Sequence, residues 1–97
     1  MTSNYSYPLN SDWSTEEIVD VVLFFHCVEQ AYHDGITLGE VKNAYDKYKR
    51  IVQSIMEEKQ LDREFKELSG YSTYQVVQQM KLMLRNKDSL ASRIKVN

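Results

Sequence analysis

Between residues 14 and 34 the apolar positions recur at helical spacing, with Ile18, Val21, Val22, Phe25, Val28 and Tyr32 on one side. Val19, Leu23, Phe24 and Ala31 widen that arc well past a single stripe. A helix apolar over most of its circumference belongs in the middle of a fold, so the pattern predicts a central first helix from Ser14 to about Asp34. Gly35 follows where a left-handed residue ends a helix. A second helix begins after Thr37 and carries Leu38, Val41, Ala44, Tyr45, Tyr48 and Val52 on one face. Continued at 100° per residue, it would turn Leu61, Phe65 and Leu68 roughly 140° away from that face. One straight helix cannot bury both stripes, and a break is expected near Gln53 to Met56. A third helix then runs from about 55 to 69 and ends at Gly70. A fourth starts at Ser72, buries Val76, Val77, Met80, Met83 and Leu84, and turns Tyr74, Gln78, Lys81 and Arg85 outward at i, i+4, i+7 and i+11.

The helix starts share one solution. Trp13-Ser14-Thr15-Glu16-Glu17-Ile18 and Tyr71-Ser72-Thr73-Tyr74-Gln75-Val76 both read as a Ser N-cap, an acid or amide three residues on, and flanking apolar residues that staple the turn. Thr37 with Glu40 repeats the device, and Ser54 with Glu57 repeats it without the staple. Each cap is worth about 1 kcal/mol. The repeat is therefore a structural device and not an internal duplication.

The expected fold is all-α, an irregular array of four helices around the first, in a single domain of 97 residues. Residues 1–13 form an extended arm, in which Pro8 holds Tyr7 in extended geometry and Tyr5, Tyr7 and Leu9 lie over the helices. Residues 14–86 form the helical core. Beyond Asn86 the segment K-D-S-L-A-S-R-I-K-V-N loses periodicity and reads as a frayed tail.

Composition narrows the class. Three Gly and one Pro are too few for the turns of an all-β sandwich. The single Cys27 precludes an intramolecular disulfide and fits a reducing cytoplasm. The N-terminus has no basic segment leading into an apolar run, and the longest apolar run, Val21 to Phe25, is far short of the roughly 20 residues that span a bilayer. No membrane partner is implied. Net charge is −2 but unevenly placed: residues 1–41 hold seven acids and no Lys or Arg, whereas residues 68–97 hold five bases and one acid.

The stretches Y-S-Y-P-L-x-x-D-W-S-T-E-E-I, E-E-K-Q-L-D-R-E-F and S-G-Y-S-T-Y-Q-V-V, in that order, resemble the YktA-like family of small uncharacterised proteins of Firmicutes. The resemblance covers about residues 5 to 80. It implies a cytosolic all-α protein with no established activity. One departure falls in the second connection, where similar proteins carry Pro and this chain reads Val52-Gln53-Ser54.

Candidate chemistry is sparse. His26, Glu29 and His33 share one side of the first helix, but two histidines seven residues apart lie about 10 Å apart along the axis and do not reach one ion unaided. Glu16, Glu17 and Asp20 suit the positive end of the helix dipole, which suffices to explain them. No nucleophile elbow, phosphate loop or dinucleotide fingerprint is present, and no catalytic residue, metal site or cofactor is assigned.

The reading that remains is a non-enzymatic protein-interaction module, with Tyr74, Gln78, Lys81 and Arg85 as the candidate partner face, because Tyr and Arg are frequent interface anchors. The alternative is nucleic-acid binding through a helix-turn-helix-like hairpin of the third and fourth helices. There Thr73, Tyr74, Gln75 and Gln78 would meet bases and Lys81, Arg85 and Lys87 phosphates. The acidic balance of the chain weighs against it. Both a monomer and a homodimer through exposed Tyr and Met fit the sequence.

Overall fold

The protein was analysed as a computed structural model that describes residues 6–96. Four helices form: α1 (Thr15–Tyr32), α2 (Leu38–Ile51), α3 (Ile55–Ser69) and α4 (Thr73–Arg85). Two short strands, β1 (Ile36–Thr37) and β2 (Arg93–Ile94), pair antiparallel with Ile36 opposite Ile94 and Thr37 opposite Arg93. The all-α array of four helices expected from periodicity is thus the observed architecture.

Every expected N-cap is in place. Ser14 Oγ accepts from Glu17 N at 3.1 Å while Ser14 N donates back to Glu17 Oε1 at 2.8 Å, which closes a capping box. Thr37, Ser54 and Ser72 accept from the backbone N–H of Glu40, Glu57 and Gln75 in the same way. At α4 the reciprocal bond is replaced: Ser72 N donates to Tyr32 Oη at 3.1 Å, so the cap of α4 is tied to the end of α1. Gly35 and Gly70 take positive φ values of 90° and 83°, where a side chain is strained.

The core is aromatic. Phe24 stacks on Tyr48 at 4.3 Å between centroids and Phe25 stacks on Phe65 at 4.5 Å, so α1 presents adjacent rings to α2 and to α3. Val21, Val28, Leu38, Val41 and Val76 complete a buried cluster that every helix enters. The break after α2 falls where the two stripes require it, with Val52 buried and Ser54 capping α3. Two residues of the wide apolar arc on α1 do not join this core. Val19 and Leu23 are about half exposed, so the buried face of α1 is narrower than its apolar arc.

The arm follows the expected course where it is described. Tyr7 lies 5.6 Å from Phe25 and 6.0 Å from Phe65, and its hydroxyl donates to Glu29 Oε1 at 2.7 Å. Leu9 is exposed, so Tyr7 and buried Pro8 make the seal without it. The position expected for Tyr5 lies outside the described residues.

Residues 87–97, read from the sequence as a frayed tail, contain an element that periodicity does not announce. After α4, Lys87 takes a positive φ of 59° and the chain turns back. Leu38 N donates to Ser92 O at 2.7 Å and Gly39 N to Leu90 O at 2.9 Å. These are first-turn donors of α2 with no acceptor inside their own helix, and the returning carbonyls satisfy them. Ile94 is buried, Val96 N donates to Ala31 O at 2.8 Å, and Arg93 Nη2 donates to the carbonyls of Asp34 and Gly35.

Candidate functional site

The outer face of α4 is set by its buried one. Val76, Val77, Met80 and Met83 point into the core, which turns Tyr74, Gln78, Lys81 and Arg85 to solvent as one row. Tyr74 is 62% exposed and is the one described tyrosine whose ring stands clear of the core, while Leu82 on the neighbouring row is 44% exposed. The start of α4 is fixed in position from three sides. Tyr71 stacks on Tyr32 at 4.8 Å, its hydroxyl meets His33 Nε2 at 3.1 Å, and Thr73 Oγ1 donates to Asp62 Oδ1 on α3.

Between α3 and α4 lies a groove of about 160 Å³ beside Tyr45, Ile55, Tyr74, Val77 and Lys81. Small-molecule sites run to roughly 300–1,000 Å³, so this groove suits one inserted side chain rather than a cofactor. Its acids are already engaged. Glu58 accepts from Lys49 Nζ at 2.6 Å and from Tyr45 Oη at 3.1 Å, and Asp62 accepts from Thr73. Burial raises the Asp62 carboxyl above its ordinary value; the Thr73 hydroxyl opposes that shift, Glu58 adds to it, and Lys49 offsets it. Lys59, Lys81, Arg85 and Lys95 around the groove and along α4 take part in no salt bridge among the described residues.

The structure brings the four candidate residues together as a face but divides the helix-turn-helix set. Thr73 is 1% exposed and bound to Asp62, so it does not face a base edge. Sequence periodicity also missed Ile55 and Lys95, which border this surface from α3 and from the returning tail. They lie on other segments, and no spacing along α4 points to them.

A second cleft, about 490 Å³, is lined by Tyr7, His26, Glu29, His33, Asp34 and Tyr71. The two histidines do not converge. His26 Nδ1 meets Tyr7 Oη at 3.2 Å, whereas His33 Nε2 meets Tyr71 Oη. Among the described residues no group of three or more His, Cys, Asp or Glu is placed to hold a metal ion. Burial, with Glu40 adding to it, pushes the Cys27 thiol up to about 11, which disfavours the reactive thiolate. Among the described residues no helix is long and apolar enough to cross a membrane.

Comparison with known proteins agrees with the resemblance drawn from the sequence. The family described as "Uncharacterised protein family (UPF0223)" matches residues 4–88. A UPF0223 protein of Streptococcus mutans is 49% identical over 81 residues, covering 84% of this chain and 88% of the relative. One from Lysinibacillus sphaericus is 54% identical over 77 residues, covering 79% and 81%. One from Streptococcus equi subsp. zooepidemicus is 51% identical over 77 residues, covering 79% and 84%.

Proposed function

The chain belongs to the UPF0223 family, and on that premise we propose that it is a non-enzymatic, cytoplasmic protein-interaction module that docks a partner protein on the outer face of α4. One observation carries this reading: Tyr74 stands 62% exposed beside Lys81 and Arg85, neither of which is in a salt bridge among the described residues. The fold seats its other described tyrosines against the core or in hydrogen bonds, so an exposed Tyr next to uncommitted cations supports a contact surface more than a packing role. The alternative of nucleic-acid binding loses Thr73, one of the residues that would meet bases, to the interior and to Asp62. The lone, half-buried Cys27 suits the cytoplasm.

Affinity capture of tagged protein from lysate, beside a Tyr74→Ala/Arg85→Glu variant with intact helicity, tests the reading. The expected result is a partner retained by wild type, lost by the variant and indifferent to nuclease. Equal capture by both proteins, or a partner released by nuclease, overturns it.

A further inference from the structure

Resting on that docking face, we propose that its occupant is an acidic segment of a partner protein carrying one apolar anchor side chain. The charge of the surface sets the sign. α4 contains no acid, and Lys81, Arg85, Lys59 and Lys95 lie along it and its groove without a salt-bridge partner among the described residues. Of the carboxylates nearest the groove, Glu58 is offset by Lys49, and Asp62, bonded to Thr73, keeps one negative charge against the four cations. What faces outward is therefore cationic, and complementary charge both steers and orients a partner.

The apolar content sets the anchor. Ile55, 70% exposed, lines the α3–α4 groove together with Tyr74 and buried Val77. A groove of about 160 Å³ admits one side chain of leucine or phenylalanine size and leaves the rest of the ligand along the helix. Lys81 and Arg85, one turn apart, then meet carboxylates that flank the anchor.

The molecule supplies an internal contrast. The other exposed apolar pair on a long helix, Val19 and Leu23 on α1, is flanked by Glu16 and Asp20. That stripe has the chemistry assigned here to the occupant. A copy placing α1 on the α4 face of the next would use two different surfaces, and such a contact does not close into a dimer. A separate partner chain is the occupant the geometry favours.

The test is a selection of random displayed peptides on the full-length protein, counter-selected on Lys81→Glu/Arg85→Glu. Peptides of about twelve residues suffice, since the outer row of α4 is roughly 16 Å long. Enriched peptides should be net acidic with a Leu, Ile, Phe or Trp, and affinity should fall about tenfold in Tyr74→Ala and in Lys81→Glu/Arg85→Glu. Enrichment of neutral or basic peptides that still require Tyr74 overturns the acidic occupant and leaves the docking reading standing. Peptides that bind the counter-selection variant equally, or no enrichment, overturn both. Concentration-dependent self-association abolished by Glu16→Lys/Asp20→Lys assigns the face to a second copy and overturns the proposal.

Discussion

α1 and α2 meet through stacked rings, whereas a side-chain hydrogen bond ties α3 to α4. On the first side Phe24 is stacked at 4.3 Å on Tyr48 and packed at 5.6 Å against Tyr45. On the second, Thr73 is bound to Asp62, and Phe65 reaches past its neighbour helix to Phe25 on α1. The exposed apolar side chains divide unequally too: Ile55, Met56, Leu68, Tyr74 and Leu82 lie on α3 and α4, against Val19 and Leu23 on α1 and none on α2. Burial of rings holds the first pair regardless of charge. The second pair keeps apolar surface outside, so its sequence is under less demand from the core and is freer to serve a contact.

The largest effect expected is therefore at the ring that serves both pairs. Phe25→Ala removes the stack with Phe65 and the contact with Tyr48, and should cost about 3–5 kcal/mol by urea denaturation. That is a large share of a net stability of about 5–15 kcal/mol. A cost near that of a surface substitution would mean that the ring cluster does not hold the fold.

The glycines that end α1 and α3 give a matched pair. Gly70→Ala meets nothing within 4 Å, so its cost is the left-handed backbone alone, about 1 kcal/mol. At Gly35 the same strain is joined by a Cβ only 3.2 Å from Ile94 O, the backbone of β2. The expected cost is about 2 kcal/mol, with hydrogen exchange speeding at Val96 N–H. Equal costs for the two would show that β2 yields freely.

Two polar groups sharpen the contrast further. The Tyr48 hydroxyl is buried with no hydrogen-bond partner among the described residues, within the electrostatic reach of Asp62 and Glu58 on α3, while its ring stacks on Phe24 of α1. Tyr48→Phe should raise stability by about 1 kcal/mol, and a loss in thermal melts would reveal a partner for the hydroxyl. Asp62 is the second such group, on α3. Burial lifts its carboxyl above 3.8, so the folded protein holds that proton more tightly than the unfolded chain. The group's contribution is complete below pH 3.8 and is lost as pH rises through the higher folded-state value. Asp62→Asn removes this loss, so the variant should gain on wild type as pH climbs through that window. A constant difference in urea titrations on either side of pH 3.8 would mean that Thr73 and Lys49 cancel the burial.

What could be read from the chain follows the range of the forces involved. The N-caps at Ser14, Thr37, Ser54 and Ser72 rest on bonds three residues long, and each was legible. So was the break between α2 and α3, because two stripes 140° apart cannot share one straight helix. The pairing of Ile36 with Ile94 was not, since it joins segments far apart in sequence through two residues with no alternating pattern. Val19 and Leu23 misled in the other direction, being apolar and helical in spacing yet left outside because α2 and α4 cover only part of α1. The row Tyr74, Gln78, Lys81 and Arg85 was visible as a period. Its groove was not, because Ile55 comes from another helix.

The smallest effect expected on stability is at Tyr74, and it is the one that separates the two regions most sharply. Its ring is 62% exposed and takes part in no side-chain hydrogen bond or ring stack among the described residues. Surface substitutions of this kind stay within about 0.5 kcal/mol, so Tyr74→Ala should melt with wild type. Tyr45 is the counterpart on the inner face of α2, where its spacing places it: its ring packs on Phe24 and its hydroxyl donates to Glu58. Tyr45→Ala should accordingly cost about 2–4 kcal/mol. If both substitutions were silent, the Tyr45 ring and its bond to Glu58 would contribute nothing to stability. If Tyr74→Ala were the costly one, the ring would be a structural part of the α3–α4 contact and its exposure would no longer argue for a partner.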